Sequence, residues 1–171
     1  MCFINSAAFS SANRVDSINH ALALMGAREI KKWISLVALT GMGKDKCEEL
    51  VVVSLVRARF CEILAGKTGF GPRSSDLFLM GMFSLIDAFL DRPMEEIVKP
   101  LPIAEDVKTA LLGGQNKFYD ILELARSYEK ADWEKVTSLT TQLKLHEQDT
   151  PQLYLQSLEL ANQIFITGMG K

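Results

Sequence analysis

Leu77-Phe78-Leu79-Met80-Gly81-Met82-Phe83-Ser84-Leu85-Ile86-Asp87-Ala88-Phe89-Leu90 carries a single charge, Asp87, in a run that is otherwise apolar or small. Ser74 or Ser75 ahead of it supplies an N-cap, so the run reads as one helix. A helix that is hydrophobic nearly all round has no face to give to water and belongs in the middle of a bundle. The spacing therefore predicts that residues 77–90 form the central helix, with Phe83 buried and Asp87 in need of a partner if it is buried too.

The segments on either side are helical and more amphipathic. Ser17 precedes Ile18, Ala21, Leu22 and Met25, a stripe closed by Gly26, and Ile30, Trp33, Ile34 and Val37 repeat the period before Gly41 and Gly43. Asp45 introduces the longest stretch, through Leu50, Val53, Val56, Phe60 and Leu64, with Arg57 and Arg59 expected to face solvent, and residues 66–72 break it. After Pro93 come a short turn of helix at 94–98, a Pro100-Leu101-Pro102 break, and helices at 105–112, 118–128, 132–143 and 151–166. Strand alternation and hairpin dipeptides are absent, so the fold class is all-α, a compact multi-helix bundle. The Gly-Met-Gly-Lys at 41–44 recurs at 168–171 in unrelated surroundings and reads as coincidence.

With 171 residues the chain is sized for one domain, 1–171, and its 48% hydrophobic and 23% charged residues are those of a folding globular protein. A formal net charge of -2 advertises no field for nucleic acid, and no apolar run approaches the roughly 20 residues that cross a bilayer. No basic n-region opens the chain, which places it in the cytoplasm by default. Cys2, Cys47 and Cys61 match neither a disulfide framework nor a zinc pattern and read as free thiols, Cys61 buried and inert.

Few residues invite chemistry. Gly66-Lys67-Thr68 looks like the end of a phosphate loop, but Cys61 stands where the loop needs glycine and a helix stands where it needs a strand, so it reads as a helix C-terminus. Gly69-Phe70-Gly71 lacks the third glycine of a dinucleotide fingerprint at Ser74 and reads as a turn. His20 and His146 have no ligating partner one turn away, and Asp87, Asp91, Glu95 and Glu96 read mainly as a solvated helix end. Arg28, Lys31, Lys32, Arg57 and Arg59 read as solvated helix faces, and Trp33 and Trp133 as core anchors.

Several stretches resemble a known family in the right order. Ser17-Ile18, Ala21-Leu22 and Met25-Gly26 are similar to the "S-I-x-x-A-[IL]-x-x-[LM]-G" element of HDOD domains. Residues 26–33, 54–62, 78–87 and 110–114 resemble the subgroup found behind EAL domains. The resemblance runs to about Trp133, leaving 134–171 as a C-terminal helical extension. It implies the helical HD phosphohydrolase fold without its chemistry: by register the family's His-Asp metal pair would fall at Ser84-Leu85 and an earlier His near Val53, and none of these residues holds a divalent ion. It also implies that the early helices of a complete domain precede Ile4.

The function expected from the resemblance is a non-catalytic signalling module linked to cyclic di-GMP, partnered by a protein or a parent EAL domain, with no metal, cofactor, nucleic acid or membrane. A residual metal-dependent phosphohydrolase and a small-molecule sensor are the alternatives. Because Phe3, Ile4, Ala7, Ala8 and Phe9 need cover, a homodimer that buries this segment is expected as well.

Overall fold

The computed structural model describes residues 48–169. Eight α-helices follow one another among the described residues: α1 Glu48–Lys67, α2 Ser74–Phe83, α3 Ile86–Leu90, α4 Met94–Val98, α5 Glu105–Leu111, α6 Lys117–Glu129, α7 Trp133–Gln142 and α8 Thr150–Met169. Gly71–Arg73 and Glu147–Asp149 are single 3-10 turns leading into α2 and α8. No strand occurs among the described residues, and the all-α class stands. The helices at residues 17–37, Trp33, and the N-terminal segment on which the homodimer rested lie outside the described residues.

The hub is α1, and this corrects the expectation that residues 77–90 are the centre. Val51, Ser54, Leu55, Val56, Arg57, Ala58, Phe60, Cys61, Leu64 and Ala65 are all buried, positions that cover most of the helix circumference and leave Val52, Arg59 and Ile63 on a partly exposed stripe. Its C-terminal half, through Phe60 and Leu64, joins Leu77 and Met80 of α2 to Val107 of α5, Ile121 and Leu124 of α6, Leu139 of α7 and Leu153 of α8. Its N-terminal half, through Val51, Leu55 and Ala58, meets Phe78 and Met82 of α2, Phe89 of α3, Ile97 of α4 and Ala161 of α8. Helix α2 thus stands between two apolar clusters, which explains its lack of a polar face.

Residues 77–90 are two helices and not one. Ser84 Oγ donates to Gly81 O at 2.7 Å and the Ser84 N–H bonds the same carbonyl, after which Leu85 leaves helical geometry (φ -126°, ψ 14°). A serine hydroxyl that satisfies the local carbonyl competes with helix propagation, and here it ends α2. Helix α3 then stops on Asp91 in the left-handed region (φ 49°). Asp87 is half-buried in the first turn of α3.

Gly81 decides how closely α1 and α2 approach. A Cβ there would lie 2.6 Å from both Ala58 Cα and Arg57 O, closer than any real contact, so the crossing is packed backbone to backbone. Farther along, Arg73 ties the entrance of α2 to α5: its guanidinium is bonded to Asp76 and Asp106 and lies 4.5 Å from the centre of the Phe118 ring. The bond from Arg73 holds the Asp106 carboxyl below its ordinary value of 3.8.

Trp133 is not a core anchor. It is 56% exposed at the first turn of α7, its ring edge-on to Tyr128 with centroids 5.4 Å apart, while Val136, Leu139 and Thr140 on the same helix are buried. Phe83 is half-buried, whereas Phe60 is fully enclosed and packs edge-on to Tyr154 at 5.3 Å.

Three outcomes follow for stability in denaturant. Phe60→Ala costs about 3–5 kcal/mol, and Phe83→Ala costs clearly less because its ring is already partly in water; equal losses contradict this packing. Gly81→Ala destabilises despite the better helix propensity of alanine, since overpacking costs about 1–3 kcal/mol and the obstacle is backbone; a stabilised Gly81→Ala variant contradicts the crossing. The lowered Asp106 carboxyl contributes stability that is complete above its ordinary value of 3.8 and is lost as pH falls through its depressed folded value, so Asp106→Asn flattens the acid limb of a pH–stability profile.

Candidate functional site

The position to which the resemblance assigned a metal pair lies at the α1–α2 crossing. Arg57, expected in solvent, is 6% exposed there. Its Nη1 donates to Ser84 Oγ at 2.7 Å, its Nε to Glu129 Oε1 at 3.0 Å and its Nη2 to Glu129 Oε2 at 2.5 Å. The last two bonds form a bidentate fork, the geometry in which a guanidinium and a carboxylate match best. The side chain of Glu129 is 16% exposed at the end of α6, so the pair is largely removed from water.

Each element delivers its group for a local reason. Arg57 stands on α1 between Ser54 and Ala58, both fully buried, and its own side chain is only 7% exposed. Ser84 is presented by the break that ends α2, its hydroxyl accepting from Arg57 while donating to Gly81 O. Glu129 is the last residue of α6, a helix started by Asn116, whose side chain accepts from the Tyr119 N–H at 2.8 Å. A buried charge requires a partner, and a sequence scan misses this one because Arg57 and Glu129 are 72 residues apart.

Cys61 lies one turn after Arg57. Burial pushes its thiol up to about 12, against a smaller lowering by the Arg57 charge, so the thiolate is inaccessible at neutral pH. Tyr154 and Tyr128 border the same region, their rings 4.6 Å apart, and burial raises both phenols. Arg59 is the more exposed of the two arginines and pairs with Glu62 at 2.5 Å.

The residues here do not fit a divalent ion. Val53 and Leu85 offer no ligand atom, and Ser84 Oγ is already engaged by a cation belonging to the protein. No group of three or more His, Cys, Asp or Glu comes together among the described residues. Elsewhere, Thr68 ends α1, with its N–H and Oγ1 both bonded to Leu64 O, and Gly69 follows with φ 83°, so Gly66-Lys67-Thr68 is a helix terminus and Gly69-Phe70-Gly71 a turn. His146 is exposed, and Glu96 pairs with Arg92 at 3.0 Å in solvent. His20, Arg28, Lys31 and Lys32 lie outside the described residues. Among the described residues no helix is long and apolar enough to cross a membrane.

Comparison with known proteins places this geometry in a family. The HDOD domain matches residues 1–90, which include α1, α2, α3 and hence both Arg57 and Ser84. The chain belongs to the HDOD family. The HDOD match stops before α6, so Glu129 reaches into the matched part from outside it.

Among curated proteins the chain is 38% identical over 165 residues to the uncharacterized protein YuxH of Bacillus subtilis, covering 95% of this chain and 40% of that protein. It is 32% identical over 162 residues to the cyclic di-GMP phosphodiesterase CdgJ of Vibrio cholerae, covering 95% of this chain and 38% of that one. The chain therefore spans about two fifths of the length of these relatives. No solved structure matches it significantly.

Removing one member of the Arg57–Glu129 pair leaves the other charged and buried, so Glu129→Ala is expected to cost about 3–5 kcal/mol. The double variant Arg57→Met, Glu129→Leu recovers a large part of that loss, because two apolar groups leave no orphan charge behind. Additive losses in a denaturant double-mutant cycle contradict the pairing.

Proposed function

We propose that the chain is a non-catalytic regulatory module of cyclic di-GMP signalling, acting through contacts with a protein partner such as an EAL-type phosphodiesterase domain. One observation carries the reading: Ser84, where the resemblance implies a metal-binding pair, is bonded to the buried Arg57 guanidinium, a cation that cannot polarise a phosphate or activate water as a divalent ion does. Support for the pathway comes from the cyclic di-GMP phosphodiesterase CdgJ, of whose length this chain matches 38%. On this reading residues 1–171 act as one module in the cytoplasm, with 134–171 as an extension whose α8 packs directly on α1.

Arg57 and Glu129 join the HDOD-matched part to the rest of the chain through a rigid fork. A module held in this way offers a partner a fixed surface, which is what an interaction role requires.

The test is elemental analysis and turnover of the purified chain. It should retain no stoichiometric divalent metal after dialysis and should hydrolyse neither phosphomonoesters nor cyclic di-GMP. Metal retained at one equivalent, or turnover that tracks the protein through purification, overturns the non-catalytic reading in favour of an HD-type phosphohydrolase.

A further inference from the structure

Lys117 and Lys144 line one pocket of about 360 Å³, although one opens α6 and the other follows α7. Neither has a carboxylate partner among the described residues, as is also true of Lys67, Lys99 and Lys130, but these two alone of the five line the pocket. Lys144 is also held with φ 57°, a left-handed backbone that side chains rarely adopt.

The other walls differ in character. Phe70 and Leu143 are half-buried and pack against the larger core cluster, giving the pocket an apolar side fixed from behind. Asp120 is half-buried, and its Oδ2 accepts from Gln142 Nε2 at 2.9 Å. No ion pair engages Asp120 among the described residues, and burial raises its pKa. Two point cations, an apolar wall and a carboxylate acceptor thus share one concavity of small-ligand size.

Inorganic phosphate satisfies only the lysines and brings a negative charge toward Asp120. A ligand that also carries a planar ring with outward N–H donors satisfies all three walls: phosphate to the ammonium groups, ring to Phe70 and Leu143, donors to Asp120. Guanine is the base whose edge carries a ring N–H beside an amino group, the pair a carboxylate accepts from. We propose that this pocket binds a guanine mononucleotide unit, with Lys117 and Lys144 on the phosphate and Asp120 on the base edge. The site supplies the signal that the regulatory reading leaves open, and rests on that reading only for its biological role.

Calorimetric titration of the full chain with GMP, AMP and inorganic phosphate tests it. GMP should bind about tenfold or more tightly than either of the others. The double variant Lys117→Ala, Lys144→Ala should weaken GMP by about tenfold or more, and Asp120→Asn should erase the preference over AMP. These residues lie outside the buried core, and circular dichroism of each variant confirms that the fold is intact. Absence of GMP binding overturns the proposal, as does equal binding of GMP and AMP. Phosphate binding as tightly as GMP means an adventitious ion only, and overturns it too. None of these outcomes alters the metal and turnover results, so failure of the pocket and failure of the regulatory reading are distinguishable.

Discussion

The backbone contact between Gly81 and Ala58 constrains the rest of the described structure. Helices that approach this closely exclude water from the seam between them, and the seam includes Arg57. A guanidinium in such a place stays folded only if its donors are met, and two elements bend toward it. The end of α2 turns at Ser84 to offer a hydroxyl, and α6 runs until its last residue, Glu129, completes the fork. The family-matched helices and the remainder of the chain are thereby joined by charge as well as by the apolar contacts of α8 on α1.

This arrangement gives a physical meaning to what the residues at the crossing lack. An HD-type metal centre needs imidazole and carboxylate ligands around a divalent ion. Here a positive charge is part of the chain, bonded to Ser84 and held in a planar fork by Glu129. The same charge that suits a hydrolase when carried by a metal becomes structural when carried by Arg57. Burial holds Cys61 beside it as the thiol.

Much of the fold was legible because helical periodicity and breakers act locally. The breaks at Gly66-Lys67-Thr68, Pro93 and Gly113 and the helices at 94–98 and 105–112 follow from residues a few positions apart. The centre of the bundle was misread for a related reason. Residues 77–90 look more hydrophobic than α1, but Arg57 and Ser54 on α1 are buried, and polarity in sequence concealed a helix enclosed around most of its circumference. Ser84 lies inside an apolar run and carries no local stop signal, yet its hydroxyl ends the helix once it has a carbonyl to bond. Glu129 carried no signal at all, since only the fold brings it to Arg57. Trp133 followed the right stripe, but a residue in the first turn of α7 has too little beyond it to cover an indole.

The α1–α2 junction holds its own cation, Arg57, and on the proposed reading takes no divalent metal. Paramagnetic relaxation by manganese, read on the backbone amides of the isotopically labelled chain, tests it most directly. Substoichiometric Mn²⁺ should leave the amides of Arg57, Ser84 and Glu129 no more broadened than those elsewhere in the buried core. Selective loss of these signals, reversed by a chelator, would show a divalent ion at the junction and contradict the non-catalytic reading.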